Sequence, residues 1–306
     1  MGMNRALNRF AVLTTGCTFL LLIAGALVTG NDAADSVPDW PLAYHRIIPP
    51  LTGGIRFEFA HRAVAGVVAT LTLVLAVWIA RRERRRWVRN VGWTALGLVV
   101  AQALLGALRV LKGDPAVTAT SHATLAQLFF VSLICLTVFT GEWWQSHQPV
   151  LRDAGSPSLR ALALTTSVII VIQTILGAGY RHGAFGIWPH LVGAGAVTAA
   201  VIVVARNARV RFGEVKSLRR SVIFVHAFFG LQIVLGGAAW WAVQAQQRAP
   251  QPLPLLVGIT VAHVLGAALL LSASVVLTLR CYRLIPARRE ATEFSGRAKH
   301  STEAAV

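Results

Sequence analysis

The sequence predicts an all-α membrane protein, with eight transmembrane helices forming two parallel-repeat four-helix bundles. Three observations lead there. The chain is 55% hydrophobic and only 13% charged, where a soluble domain carries roughly a quarter charged residues. Apolar runs of about 20 residues recur, each long enough to cross a hydrocarbon core about 30 Å thick. Lys and Arg alternate between dense and sparse from one connecting segment to the next.

In the first span, 9–29, the apolar run from Ala11 to Gly30 follows Arg5 and Arg9. It is longer than the secretory apolar stretch of about 7–15 residues and no A-x-A site follows, so it reads as a retained helix. The longest predicted loop, Asn31 to Gly54, precedes the second span, 55–80, which opens with Glu58-Phe-Ala-His61-Arg62. The third, 91–111, carries Gln102-x-x-Leu-Gly106, and the fourth, 118–140, carries His122. The fifth, 160–180, repeats the glutamine pattern at Gln173 to Gly177, and the sixth, 186–205, holds His190. The seventh, 221–242, has Gln232 to Gly236, and the eighth, 254–280, has His263. The expected units are 9–140 and 160–280, with a tail over 281–306.

Charge sets the expected orientation. With the N-terminus inside, the cytoplasmic segments hold 22 Lys and Arg residues and the outer segments five, namely Arg46, Arg56, Lys112, Arg181 and Arg248. Arg62 and Arg109 fall within spans. The positive-inside rule therefore predicts a multi-pass protein of the cell (plasma or inner) membrane with both termini cytoplasmic. The net charge of +17 is then a topology signal with attraction to anionic lipid, and nucleic-acid binding is not expected. Cys17, Cys135 and Cys281 lie in or at the ends of spans, and no disulfide framework or zinc site follows from them.

The halves repeat. Gly follows His by five residues in both His61–Gly66 and His190–Gly195, and His61 to His190 and His122 to His263 are separated by similar distances along the chain. Four spans per unit bring both units in from the same side, related by an axis along the membrane normal. The glycines and glutamines of the odd-numbered spans read as packing devices, the glycines allowing close helix approach and the glutamines able to bond across helices.

An imidazole in a lipid-spanning helix tends to mark a functional site. His61, His122, His190 and His263 lie about 4–9 residues inside the outer ends of alternate spans, roughly 6–14 Å below the surface. Zinc or copper sites usually gather three or four ligands at one point. Here the ligands come two per bundle, without cysteine, which suits the two axial positions of a haem iron whose porphyrin supplies the other four. The propionates would meet Arg46, Arg56, Lys112 or Arg181. His226, at the start of the seventh span, reads as structural or interfacial, and His45, His147, His182 and His300 as solvated.

Only the first half has an acid beside its metal site. Glu58 precedes His61 by three residues and shares its helix face, while the counterparts of Glu58 and Arg62 are Ile187 and Leu191. Such a carboxylate can serve as acid, base or stabiliser of a developing cation. The bland alternative is a structural ion pair with a nearby arginine.

Glu58-x-x-His61-Arg62, the loop sequence Pro38-Asp39-Trp40-Pro41-Leu42 and the duplicated eight-span layout together resemble the haem A synthase family over about residues 9–280. The resemblance implies oxidation of a ring methyl of haem O to a formyl group through successive water-derived hydroxylations. By position it makes His61 and His122 ligands of the substrate haem O and Glu58 the catalytic carboxylate, with Arg62 beside the haem. His190 and His263 would hold a haem b that relays electrons. It implies a haem O synthase as donor and a terminal oxidase as destination of the product, and it leaves homo-oligomers open. Many members flank the Pro-Asp-Trp-Pro-Leu segment with two cysteines, where this chain has Val37 and Ala43. Two rivals share the histidines: a di-haem electron-transfer protein, and a haem-handling or oxidase-assembly protein without hydroxylase activity. A prenyltransferase would need aspartate-rich motifs, and the twelve acidic residues are scattered.

Overall fold

The computed structural model describes residues 4–113, 115–246 and 252–286. Among them run α1 (Arg5–Gly30), α2 (Ile55–Arg82), α3 (Arg86–Lys112), α4 (Ala116–Thr140), a single turn α5 (Glu142–Gln145), α6 (Leu159–Arg181), α7 (Ile187–Phe212), α8 (Lys216–Gln246) and α9 (Pro254–Leu284). Eight of these are long and apolar enough to cross a membrane. Only 11–39% of each apolar window is buried by protein. The rest faces outward, which lipid tolerates and water does not. Trp188, Trp240 and Trp241 stand exposed near helix ends, where aromatic side chains favour the membrane–water interface.

The helices outrun the apolar windows. Charged turns such as Arg206–Arg211 remain helical in α7, because straight-chain cations are good helix formers and meet the negative end of the dipole. The same extension corrects the expected tail: Cys281 and Leu284 lie buried inside α9, while residues 287–306, with His300, fall outside the described residues. Asn4 caps α1 by accepting from the Leu7 amide, and Ser158 caps α6 through the Ala161 amide. Pro254 opens α9, where its missing N–H is no loss.

Neighbour relations close two rings. α1 packs on α2, α2 on α3, α3 on α4 and α4 back on α1; α6, α7, α8 and α9 repeat this order. One buried cluster includes Val68, Leu75, Ile79, Leu133 and Leu136, all from the first four helices. A second includes Leu159, Val201, Leu218, Leu271 and Leu277, from the last four. Leu22, Phe130 and Ala268 form a small third cluster where α1, α4 and α9 meet.

Small hydroxyls fasten the first helix of each ring to its fourth, at the end away from the histidines. Thr15 Oγ1 lies 3.0 Å from Thr137 Oγ1, and Asn8 donates to Thr140 Oγ1 at 2.9 Å. In the second ring Ser167 Oγ lies 2.8 Å from Ser274 Oγ and 2.9 Å from Thr278 Oγ1.

Candidate functional site

The four histidines lie three to nine residues inside the N-terminal ends of α2, α4, α7 and α9, so the alternation of antiparallel helices brings them to one end. α2 stands across its ring from α4, and α7 from α9. Each imidazole is half-buried.

The glycine–glutamine pattern of the odd-numbered spans meets these rings. An added Cβ at Gly106 would lie 3.6 Å from His122 Cε1, at Gly177 2.9 Å from His190 Cε1, and at Gly236 3.1 Å from His263 Cε1. At Gly25 on α1 it would lie 3.3 Å from His61 Nε2. Four residues before each of the first three glycines, a glutamine Nε2 donates to the backbone carbonyl of the same histidine. Gln102 reaches His122 O at 2.9 Å, Gln173 reaches His190 O at 3.0 Å, and Gln232 reaches His263 O at 3.0 Å. Gln173 Nε2 also lies 3.0 Å from His190 Nδ1. The cross-helix bonding expected of these glutamines is present, and its acceptor is in each case the carbonyl of the histidine one span on.

The His190 and His263 rings meet edge to face, with centroids 6.3 Å apart and planes at 86°. An imidazole nitrogen sits about 2.0–2.1 Å from a metal it ligates, with the ring centre about 1 Å behind it, so two rings sharing one metal lie about 6 Å apart. Nδ1 of His263 is buried without a hydrogen-bond partner, and the rings themselves fill the room left by Gly177 and Gly236. This pair fits axial ligation of a haem iron. Among the described residues no three His, Cys, Asp or Glu side chains gather as a metal site, and the cysteines are free. His61 and His122 share the seating glycines and the cross-ring placement of the second pair.

Glu58 is buried in the first turn of α2 and pairs with Arg62, whose Nε lies 2.8 Å from Glu58 Oε1. The ion pair foreseen as the bland alternative is therefore present. Arg62 also leaves the helix: Nη1 donates to Asp39 O at 2.8 Å and to Leu42 O at 3.1 Å. It thus ties the helix turn carrying Glu58 and His61 to the Pro38–Leu42 segment. That segment is folded by Asp39, whose carboxylate accepts from the amides of Tyr44 at 2.6 Å and His45 at 2.7 Å. The His45 amide first, then that of Tyr44, holds the Asp39 carboxyl below its ordinary value of 3.8. Val37 and Ala43 are both buried, filling with aliphatic groups the positions compared above with cysteines. Arg109 stands in the last turn of α3, at the same end of the first ring. As a cation inside a span, it was a residue the sequence could have nominated.

Arg181 donates to Thr29 O at 3.3 Å, and Arg56 stacks over Phe57 at 4.8 Å. His226 sits ten residues inside α8, not at its start, and its Nδ1 lies 2.9 Å from Val222 O one turn back. That local partner accounts for it. His45 is exposed, His147 is exposed, and His182 caps α6.

The model of a family described as cytochrome oxidase assembly protein matches residues 53–187, which include Glu58, His61, His122 and the Gln173 segment. A protein named heme A synthase from Lysinibacillus sphaericus is 36% identical over 142 residues, covering 45% of this chain and 46% of that protein. Another of that name, from Shouchella clausii, is 28% identical over 184 residues, covering 59% and 60%. A third, from an Exiguobacterium species, is 29% identical over 266 residues, covering 78% of this chain and 86% of that protein. The first two matches thus span about half to three fifths of the relatives' own length.

Proposed function

We propose that this chain, a relative of the haem A synthases in sequence, oxidises a methyl group of haem O to a formyl group. The observation that carries the reading is the buried Glu58, one turn from His61 and held by Arg62 against the Pro38–Leu42 segment. The counterpart positions Ile187 and Leu191 are apolar, so acid chemistry belongs to one half only.

In this reading His61 and His122 hold the substrate haem O, and His190 and His263 hold a resident haem b. Haem b, when bound, would relay electrons one at a time to a further acceptor, since oxidising a methyl to a formyl group releases more than one iron can hold. Glu58 takes a proton from incoming water or stabilises cationic character at the reacting methyl carbon, in successive water-derived hydroxylations. Arg62 fixes Glu58 Oε1 and lies beside the haem. The positive-inside asymmetry puts the histidine end towards the outer leaflet of the cell membrane and both termini in the cytoplasm. A haem O synthase would supply the substrate, and a terminal oxidase would receive the product.

The Glu58–Arg62 pair also suits the rival, a di-haem electron-transfer or oxidase-assembly protein in which the carboxylate is structural. Extracting the pigment bound to purified protein separates the two. Haem O, its alcohol or haem A supports the synthase, and haem b alone supports the rival. A Glu58→Ala protein that binds both haems yet makes haem A at the normal rate would remove the catalytic role.

A further inference from the structure

Of the four half-buried histidines, three share a device and one lacks it. Gln102, Gln173 and Gln232 each reach across to the next long helix and donate to the backbone carbonyl of its histidine. The bond pins helix against helix at the imidazole. A slip of one residue there would shift the ring by about 1.5 Å along the axis and turn it by about 100°. The glycine one turn further on then gives the ring its room.

In the second ring the glutamine is accommodated from both sides. Gly193, three residues past His190, leaves space for the Gln173 Oε1, and Gly266, three past His263, does so for Gln232 Oε1. In the α1–α2 hairpin the glycine is kept: Gly25 faces His61. Leu21 stands four residues before it, where the glutamine would be, and Val64 stands three residues past His61. Both pack against the apolar cluster of the first ring. The turn carrying His61 is tied instead through Arg62 to the carbonyls of Asp39 and Leu42, in the loop preceding α2.

We propose that Gln102, Gln173 and Gln232 are positioning residues that lock three axial imidazoles, and that His61, seated without an amide, is the ligand that releases during haem exchange. The proposal rests on the haem-ligand reading above. It gives the duplicated scaffold a division of labour. The His190–His263 pair is fixed on both sides and retains its haem, while the His61–His122 pair is fixed on one side and lets haem pass.

The test uses full-length protein in detergent or nanodiscs, loaded with haem. Excess apomyoglobin serves as haem acceptor, and low-spin absorbance and carbon monoxide reactivity report ligation. Wild type should lose one haem quickly and one slowly. Gln232→Leu, which copies the residue at position 21, should speed loss of the slow haem and make part of it reactive to carbon monoxide. Leu21→Gln combined with Val64→Gly copies the Gln173 and Gly193 arrangement and should slow loss of the fast haem. Each change should be about twofold to tenfold, the range of one net hydrogen bond. Helical content and melting should stay at wild-type values, which separates positioning from general stability. Because the double variant adds a bond, it decides the matter even where Gln232→Leu fails to fold. If two low-spin haems are present but leave at unaltered rates in these variants, the proposal is overturned and the haem reading stands. If wild type binds no low-spin haem, the haem reading itself fails.

Discussion

Replacing Arg62 with Ala tests how the loop before α2 is coupled to the candidate site. The substitution removes the 2.8 Å ion pair to Glu58 and two hydrogen bonds to loop carbonyls. A bond from a charged donor contributes about 1.5–3 kcal/mol. The Leu42 contact is exposed and contributes less, so about 2–3 kcal/mol of loop docking should be lost, a roughly 30- to 150-fold rise in the open population. Glu58, buried and left without its ion-pair partner, should then no longer be held in place beside His61. Amide hydrogen exchange measured by mass spectrometry reads the first effect at Tyr44 and His45, whose amides are bonded to Asp39. Pigment extraction reads the second, as haem O retained without conversion. Unchanged protection at residues 44–45 together with normal haem A yield would refute the coupling.

Three further outcomes are expected. Asp39 has a depressed folded value, so its contribution to the loop is complete above the ordinary carboxylate range and is lost as pH falls through the folded value. Exchange at Tyr44 and His45 should stay flat with pH, after correction for intrinsic rates, until below that range, and Asp39→Asn should raise it throughout the flat region. Gly177→Ala would put a Cβ 2.9 Å from His190 Cε1, whereas Gly106→Ala would put one at 3.6 Å from His122 Cε1. Low-spin absorbance should fall in the first and hold in the second. In reduced-minus-oxidised spectra, His190→Ala and His263→Ala should each remove the same one haem signal, and His61→Ala and His122→Ala the other.

Spans and histidines were legible because lipid leaves few ways to be a helix: about 20 apolar residues, interrupted by an imidazole only for a reason. The i,i+4 relation of Glu58 and Arg62 was equally visible on a helical face. The grip of Arg62 on the Asp39 and Leu42 carbonyls was not, because the path of an irregular loop is set by backbone bonds that leave no side-chain periodicity. Helix ends were missed in one direction. Charged turns end an apolar window but not a hydrogen-bonded ladder, so α7, α8 and α9 run past the predicted limits. That Gln102, Gln173 and Gln232 bond across helices was legible; that each bonds the carbonyl of a histidine was not, because helix rotation is not written in the spacing.

The hydroxyl contacts joining α1 to α4 and α6 to α9 have a mechanical consequence. Ser274 lies 11 residues beyond His263 on α9, about 16 Å along the helix. With Ser274 as a pivot, tilting α9 by about 4° carries the imidazole sideways by about 1 Å over that lever arm. Such a pair of pliers opens its jaws by small rigid rotations while the joint stays closed. In the second ring the Gln232 bond to the His263 carbonyl opposes that rotation, so joint and jaw are both held.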